Sequence, residues 1–304
     1  MTWVASAWGR LPHTLRAILL GLVVTGAGTA PWVVLGLVNV RTSPQVPWAG
    51  PLTAVWLWLY WRYLSGNGPP RATAAARRER LQVRPLTARI WGWALLATTS
   101  GFAALIALTL AASRIAPILR RAGASDLDRY PLVLVLTGLV MTAVVAAVTE
   151  EAGFRGYMQS ALDQRLGAAA STALVAAVFG LIHLSHGLAP EGLLINAAAS
   201  VILSVTARRT GSIRPGIVVH AASDILVPLF AWAHRGTAAS HAAPLPGPDA
   251  FFATQCAVGV ALLTFSWWAY AGLARATRCG TADECPGGPP RQPPSRTIRR
   301  GSIA

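Results

Sequence analysis

Apolar residues along this chain come in long unbroken runs, not in the alternating or short clustered patterns of a water-soluble core. About 20 such residues carry a helix across a bilayer, within a range of roughly 17–25. By that measure about eight segments qualify. They are residues 17–40, 49–65, 90–112, 131–153, 168–185, 190–207, 213–232 and 251–274. The second and sixth are the weakest, being short or rich in alanine. The expected fold is therefore all-α, a polytopic membrane helical bundle forming one domain over residues 1–275. The first segment follows Arg10 and Arg16 and resembles a secretion signal at its start. Its apolar run continues through VVLGLV, longer than a signal core, so it reads as an uncleaved helix. Residues 276–304 are rich in Pro, Gly and Arg and have no apolar period, so that tail is expected to be disordered.

Composition agrees with the pattern. The chain is 54% hydrophobic and only 12% charged, where a soluble domain carries about 25% charged residues. The net charge of +15 comes from arginine alone, since there is no lysine. No compact basic domain exists to hold that charge, so a nucleic-acid partner is not expected. The arginines instead sort by alternate connections. Arg71, Arg77, Arg78, Arg80, Arg84 and Arg89 follow the second segment; Arg208, Arg209 and Arg214 follow the sixth. The N-terminus and the tail are also basic, whereas the stretch 113–130 breaks the alternation with four arginines offset by Asp126 and Asp128. The positive-inside bias then predicts a multi-pass protein of the cell membrane with both termini in the cytoplasm. Three cysteines are too few for a disulfide framework, and Cys279 and Cys285 have no nearby histidine for a zinc site.

Against this apolar background a few polar residues stand out. Glu150 and Glu151 end one run, and an ionisable side chain at membrane depth is a functional candidate by default. Glu151 and Arg155 are i,i+4 neighbours in the orientation that favours an ion pair. Glu150 is rotated about 100° away, so one carboxylate can be held structurally while the other stays available. An ordinary salt bridge at a helix end would leave Glu150 unexplained. Phe179 and His183 share a helix face, as do His220 and Asp224. Each histidine alone has a plain alternative: His183 bonded to a backbone carbonyl, His220 simply oriented by Asp224. His186, at the edge of a loop, is a weaker candidate ligand.

Geometry favours reading the groups together. With a turn near Gly167, Glu150 lies about 17 residues before it and His183 about 16 after, so an antiparallel hairpin brings both level at ~25 Å from the turn. His220 follows Arg214 closely and should be shallower, unless its helix tilts or the hairpin projects. Such a carboxylate could act as general base toward water, with two histidines polarising a carbonyl. Two His and one Glu are equally a catalytic zinc set, through Glu150, His183 and His220. The HExxH, GxSxG and GxxxxGK[ST] motifs are absent.

EExxxR at Glu150, Glu151 and Arg155, FxxxH at Phe179 and His183, and HxxxN/D at His220 and Asp224 together resemble the CPBP family. That family includes type II CAAX prenyl proteases and bacteriocin-processing or immunity proteins. The CPBP-like core covers about residues 131–230. The resemblance implies a membrane endopeptidase, a hydrolase in which Glu150 activates water. His183 would hold that water or a metal, and His220 and Asp224 would face the scissile carbonyl. Glu151, Arg155 and Phe179 would keep the site in shape. The family is commonly labelled a metalloprotease, so zinc is the one cofactor implied. Asp224 stands where the pattern often has Asn and, ionised, offers no N–H to an oxyanion. The expected substrate is a membrane-bound peptide or protein, such as a bacteriocin-like leader. A non-catalytic bacteriocin-immunity or binding protein is the main alternative, and a proton-relaying transporter the third.

Overall fold

The computed structural model describes residues 8–116, 129–184, 190–233 and 247–279. Among these the chain is all-α with no strand. The helices are α1 (His13–Thr42), α2 (Ala49–Leu64), α3 (Ala74–Leu81), α4 (Ala88–Ala112) and α5 (Leu132–Glu150). A π-helical segment (Glu151–Gln159) leads into α6 (Ser160–His183). Then come α7 (Pro190–Thr210), α8 (Arg214–Ala233) and α9 (Ala250–Cys279). Every predicted apolar segment is helical. Five stretches are long and apolar enough to span a membrane: α1, α4, the continuous run Leu132–His183, α8 and Ala250–Arg278. The run Leu132–His183 contains two of the predicted segments. α2, at 16 residues, and α7, with its alanines and polar side chains, are the other two. α9 continues past residue 275 to Cys279; the predicted tail from residue 280 onward, like His186, lies outside the described residues.

The run Leu132–His183 folds back at Gly167, whose φ of 74° interrupts the helix. Residues equidistant from that glycine meet: Ser171 Oγ donates to Asp163, and the rings of Phe154 and Phe179 stand edge to face at 5.0 Å. The predicted hairpin pivot is thus correct. The hairpin also projects. His220 sits about 9 Å along α8, whereas the chain runs roughly 20 Å from Glu151 to Gly167. The hairpin thus extends past the start of α8, and His220 lies level with Glu151.

α1 packs against the hairpin through unusually close backbones. A Cβ on Gly153 would fall 2.0 Å from Thr25 Oγ1 and 2.6 Å from the Gly21 carbonyl. One on Gly28 would meet Thr149 at 2.4 Å. Small residues spaced along two apolar helices allow such an approach, and hydroxyl bonds such as Thr29 to Thr149 at 2.8 Å then add to it. The pairing is antiparallel, so the start of α1 lies toward the hairpin tip. The connections that hold Arg71 to Arg89 and Arg208 to Arg214 lie there too. The Ile213 N–H donates to the Gln82 carbonyl at 2.9 Å, and Val83 bridges Ser212. Leu81 is wholly buried in the core cluster beside Tyr157 and Ile213. α9 runs antiparallel to α4, with Gly259 against Leu108 and Gly272 against Trp93, which brings its C-terminal end back to the same side. At the far end Asp249 caps α9, accepting from the Phe252 N–H at 2.8 Å and pairing with Arg114. That N–H holds its carboxyl below the ordinary carboxylate range.

Three stability outcomes follow from these contacts. Gly153→Val forces α1 off the hairpin and should cost about 1–3 kcal/mol or more. Gly26→Ala, with nothing within 4 Å of its Cβ, should leave thermal unfolding in detergent unchanged. Because the folded carboxyl of Asp249 titrates below its unfolded value, its contribution is complete above the unfolded pKa and lost as pH falls through the folded one. Asp249→Ala should therefore lower the melting temperature at neutral pH, with the gap to wild type closing in acid.

Candidate active site

The π segment is the local departure on which the site is built. Its turns are wider than those of an α-helix, and such segments concentrate at functional sites. All nine of its residues are buried, including the ionisable Glu151 and Arg155 and the polar Gln159. Glycines make this possible. Gly153 admits α1, and Gly156 lies against the carbonyls of Arg80 and Leu81, where a Cβ would stand 3.3 Å from each.

Glu151 and Arg155 form an ion pair at 2.9 Å, with both side chains wholly shielded from solvent. Arg155 Nη2 also donates to the Ser200 hydroxyl at 2.9 Å and to its carbonyl at 3.3 Å. Its guanidinium lies 4.7 Å from the Phe179 ring centroid, a cation–π contact in a dry setting. Glu151 has a second partner, since His220 Nδ1 stands 3.2 Å from the same Oε1. On the other side of the imidazole, Nε2 is 3.4 Å from Asp224 and 3.8 Å from Glu150. His220 therefore sits among three carboxylates. Gly216, one turn earlier on α8, leaves room for Glu151; a Cβ there would be 2.8 Å from Oε2.

His183 enters from the returning arm of the hairpin. Its Nδ1 is 2.7 Å from the Phe179 carbonyl, the plain partner expected for a buried histidine. Its ring leans on Phe179 at 4.5 Å. Phe179 is thus the common neighbour, touching His183, Arg155 and Phe154 and lying 6.4 Å from His220. Exposure rises across the cluster from the fully buried Glu151 through Glu150 (15% of its side chain) to Asp224 (40%), so the cluster opens on the Asp224 side. Among the described residues no three His, Cys, Asp or Glu side chains are arranged to hold a metal ion. Zinc through Glu150, His183 and His220 therefore finds no ready ligand set in this arrangement. His220 already directs both ring nitrogens at carboxylates.

Residues 131–226 match the family model described as type II CAAX prenyl endopeptidase, Rce1-like. Over that stretch the chain is similar to this family, which is consistent with a CPBP-type intramembrane protease. No curated protein and no solved structure matches the chain. The Rce1-like domain takes in α5, the π segment, α6, α7 and the start of α8, and ends two residues past Asp224. α1 lies outside it yet packs directly on its π segment.

Periodicity alone did not disclose three parts of the site: the π segment, Ser200 and Gly216. Ser200 had a signal available. It falls in a series with Asn196, Ser204 and Arg208, polar at every fourth residue of α7. Removing one partner of the buried pair leaves the other charge stranded. Arg155→Met should cost about 3–5 kcal/mol of unfolding free energy. Adding Glu151→Gln should recover part of it, and strictly additive losses in this double-mutant cycle would contradict the pairing.

Proposed function

We propose that the protein is an intramembrane endopeptidase in which Glu150 is the general base that activates water. The observation supporting this is the unequal fate of two adjacent carboxylates. Glu151 is committed to Arg155 and His220, while Glu150 has no partner closer than 3.8 Å among the described residues and is partly open. A neutral His183 that donates from Nδ1 to the Phe179 carbonyl presents Nε2 as an acceptor. Water would then lie between Nε2 and the Glu150 carboxylate, both of which accept its protons. Glu150 takes one proton as the oxygen attacks the scissile carbonyl, and returns it to the leaving amine when the C–N bond breaks. Glu151 holds His220 at Nδ1, and the Nε2–H, 3.4 Å from Asp224, would turn from that carboxylate to the oxyanion when substrate is bound. Asp224 orients that ring and does not itself donate, which accounts for an Asp in this position. Phe179, Glu151 and Arg155 fix the two imidazoles.

The substrate is a membrane-associated peptide or protein, presented where the cluster opens beside Asp224. The connections that hold Arg71 to Arg89 and Arg208 to Arg214 share one end of the bundle with both helical termini, and by the positive-inside bias that end would face the cytoplasm of a cell-membrane protein.

Cleavage of a fluorogenic peptide library by the full-length protein in detergent tests this reading. Glu150→Gln should lower turnover by roughly a hundredfold or more with no change in melting temperature. Undiminished cleavage would remove the hydrolytic role and favour a binding or immunity protein. A zinc chelator in the same assay separates the two water activators. Activity lost to the chelator and restored by zinc would assign Glu150, His183 and His220 as ligands; indifference would leave water held by side chains alone.

A further inference from the structure

The π segment with the start of α6 meets α7 in a regular ladder. Arg155 bonds Ser200, Gln159 bonds the Ser204 carbonyl at 3.1 Å, and Asp163 pairs with Arg208 at 2.7 Å. Each rung joins residues 45 apart in sequence. A constant separation means that the two elements run parallel, and rungs on every fourth residue mean that their facing stripes are locked in register. The last rung holds the projecting hairpin to the end of α7. The first lies beside the candidate active site.

We propose that Ser200 is a positioning residue for the hydrolytic reaction: through Arg155 it sets the Glu151 carboxylate that holds the His220 ring. The inference rests on the endopeptidase reading above. Ser200 is wholly buried and has its hydroxyl 2.9 Å from Arg155 Nη2. The other guanidinium nitrogen, Nη1, reaches Glu151, and the flat face rests on Phe179. Carboxylate, hydroxyl and ring thus define the guanidinium on three sides. Arg155 Nε has no hydrogen-bond partner, so nothing else fixes the plane in that direction. Glu151 Oε1 is shared between Arg155 and His220 Nδ1, so a guanidinium free to turn releases the imidazole as well. Two hydrogen bonds and one ion pair therefore connect Ser200 to His220, although Ser200 itself touches no reacting atom. The Ser200 carbonyl accepts from the same Nη2 at 3.3 Å.

The test uses the full-length protein in detergent and the best-cleaved peptide of the fluorogenic library. Ser200→Ala should lower kcat by roughly ten- to a hundredfold, the range seen when a supporting hydrogen-bond partner is lost, with KM within about twofold. Ser200→Thr, which keeps the hydroxyl, should recover most of kcat; the equally bulky Ser200→Val should not. Wild-type kcat in Ser200→Ala, or equal losses in the Thr and Val variants, would overturn the proposal. If Ser200→Ala fails to fold, the Thr-to-Val comparison carries the test. Glu150→Ala is run beside them. Full activity in that variant would remove the enzyme reading itself, whereas an inactive Glu150→Ala with an unimpaired Ser200→Ala would remove only the role of Ser200.

Discussion

The Glu151–Arg155 pair lies where neither water nor lipid headgroups can reach it, and the surrounding structure follows from that constraint. An isolated charge so buried costs several kcal/mol, and even a pair is supported only when its remaining hydrogen-bonding groups find partners. The partners come from every neighbouring element. α6 supplies Phe179, α7 supplies Ser200, and α8 supplies His220 together with the space left by Gly216. Apolar surfaces in a bilayer slide past one another at little cost, since lipid tails are as apolar as leucine. A shared buried charge does not permit sliding. The pair therefore sets the relative register of four elements that hydrophobic contact alone would leave loose.

The same constraint explains why two neighbouring glutamates can differ in role. Glu150 is the last residue of α5 and Glu151 the first of the π segment, so the change in helical pitch falls between them. Glu151 turns fully inward to the guanidinium, and Glu150 stays at the rim beside His220 and Asp224. The wider π turns also bury nine consecutive residues, which an α-helix with one lipid-facing side would not do. Glycines at positions 153 and 156 are what allow neighbouring backbones to close over that segment.

Much of this was legible in the chain itself. Apolar run lengths gave the five stretches that are long and apolar enough to span among the described residues, because a bilayer imposes a length that composition must meet; of the eight segments expected to cross, α2 and α7 are helical but fall short of that measure. The pairs Glu151–Arg155, Phe179–His183 and His220–Asp224 were legible because four-residue spacing places side chains on one face. Gly167 was legible as the pivot because it lies midway between Glu150 and His183. Other features left no such trace. A π segment has no hydrophobic period of its own, and EAGFRGYMQ reads as ordinary helix. The depth of His220 depends on how far the hairpin projects past α8, a tertiary quantity. Ser200 shows its partner only once α7 is known to run parallel to the π segment. The weak spanning character of α7 has the same origin, since its serines and arginine serve the ladder and lower its hydropathy.

The glycine-lined contact of α1 has a consequence for biogenesis. α1 is made first, yet the surface it fits, from Thr149 to Met158, is synthesised more than a hundred residues later. In the interval α1 must remain in the bilayer with its narrow, polar-spotted face uncovered. That face is poor at attracting lipid and well shaped for another helix, so it is open to the wrong partner. Synthesis of this protein thus contains a waiting period, ended only when the segment bearing the glutamates arrives. The segment that shelters the first helix carries Glu150 and Glu151, so this helix pairing comes before the candidate cluster is complete, since His183, His220 and Asp224 are synthesised later.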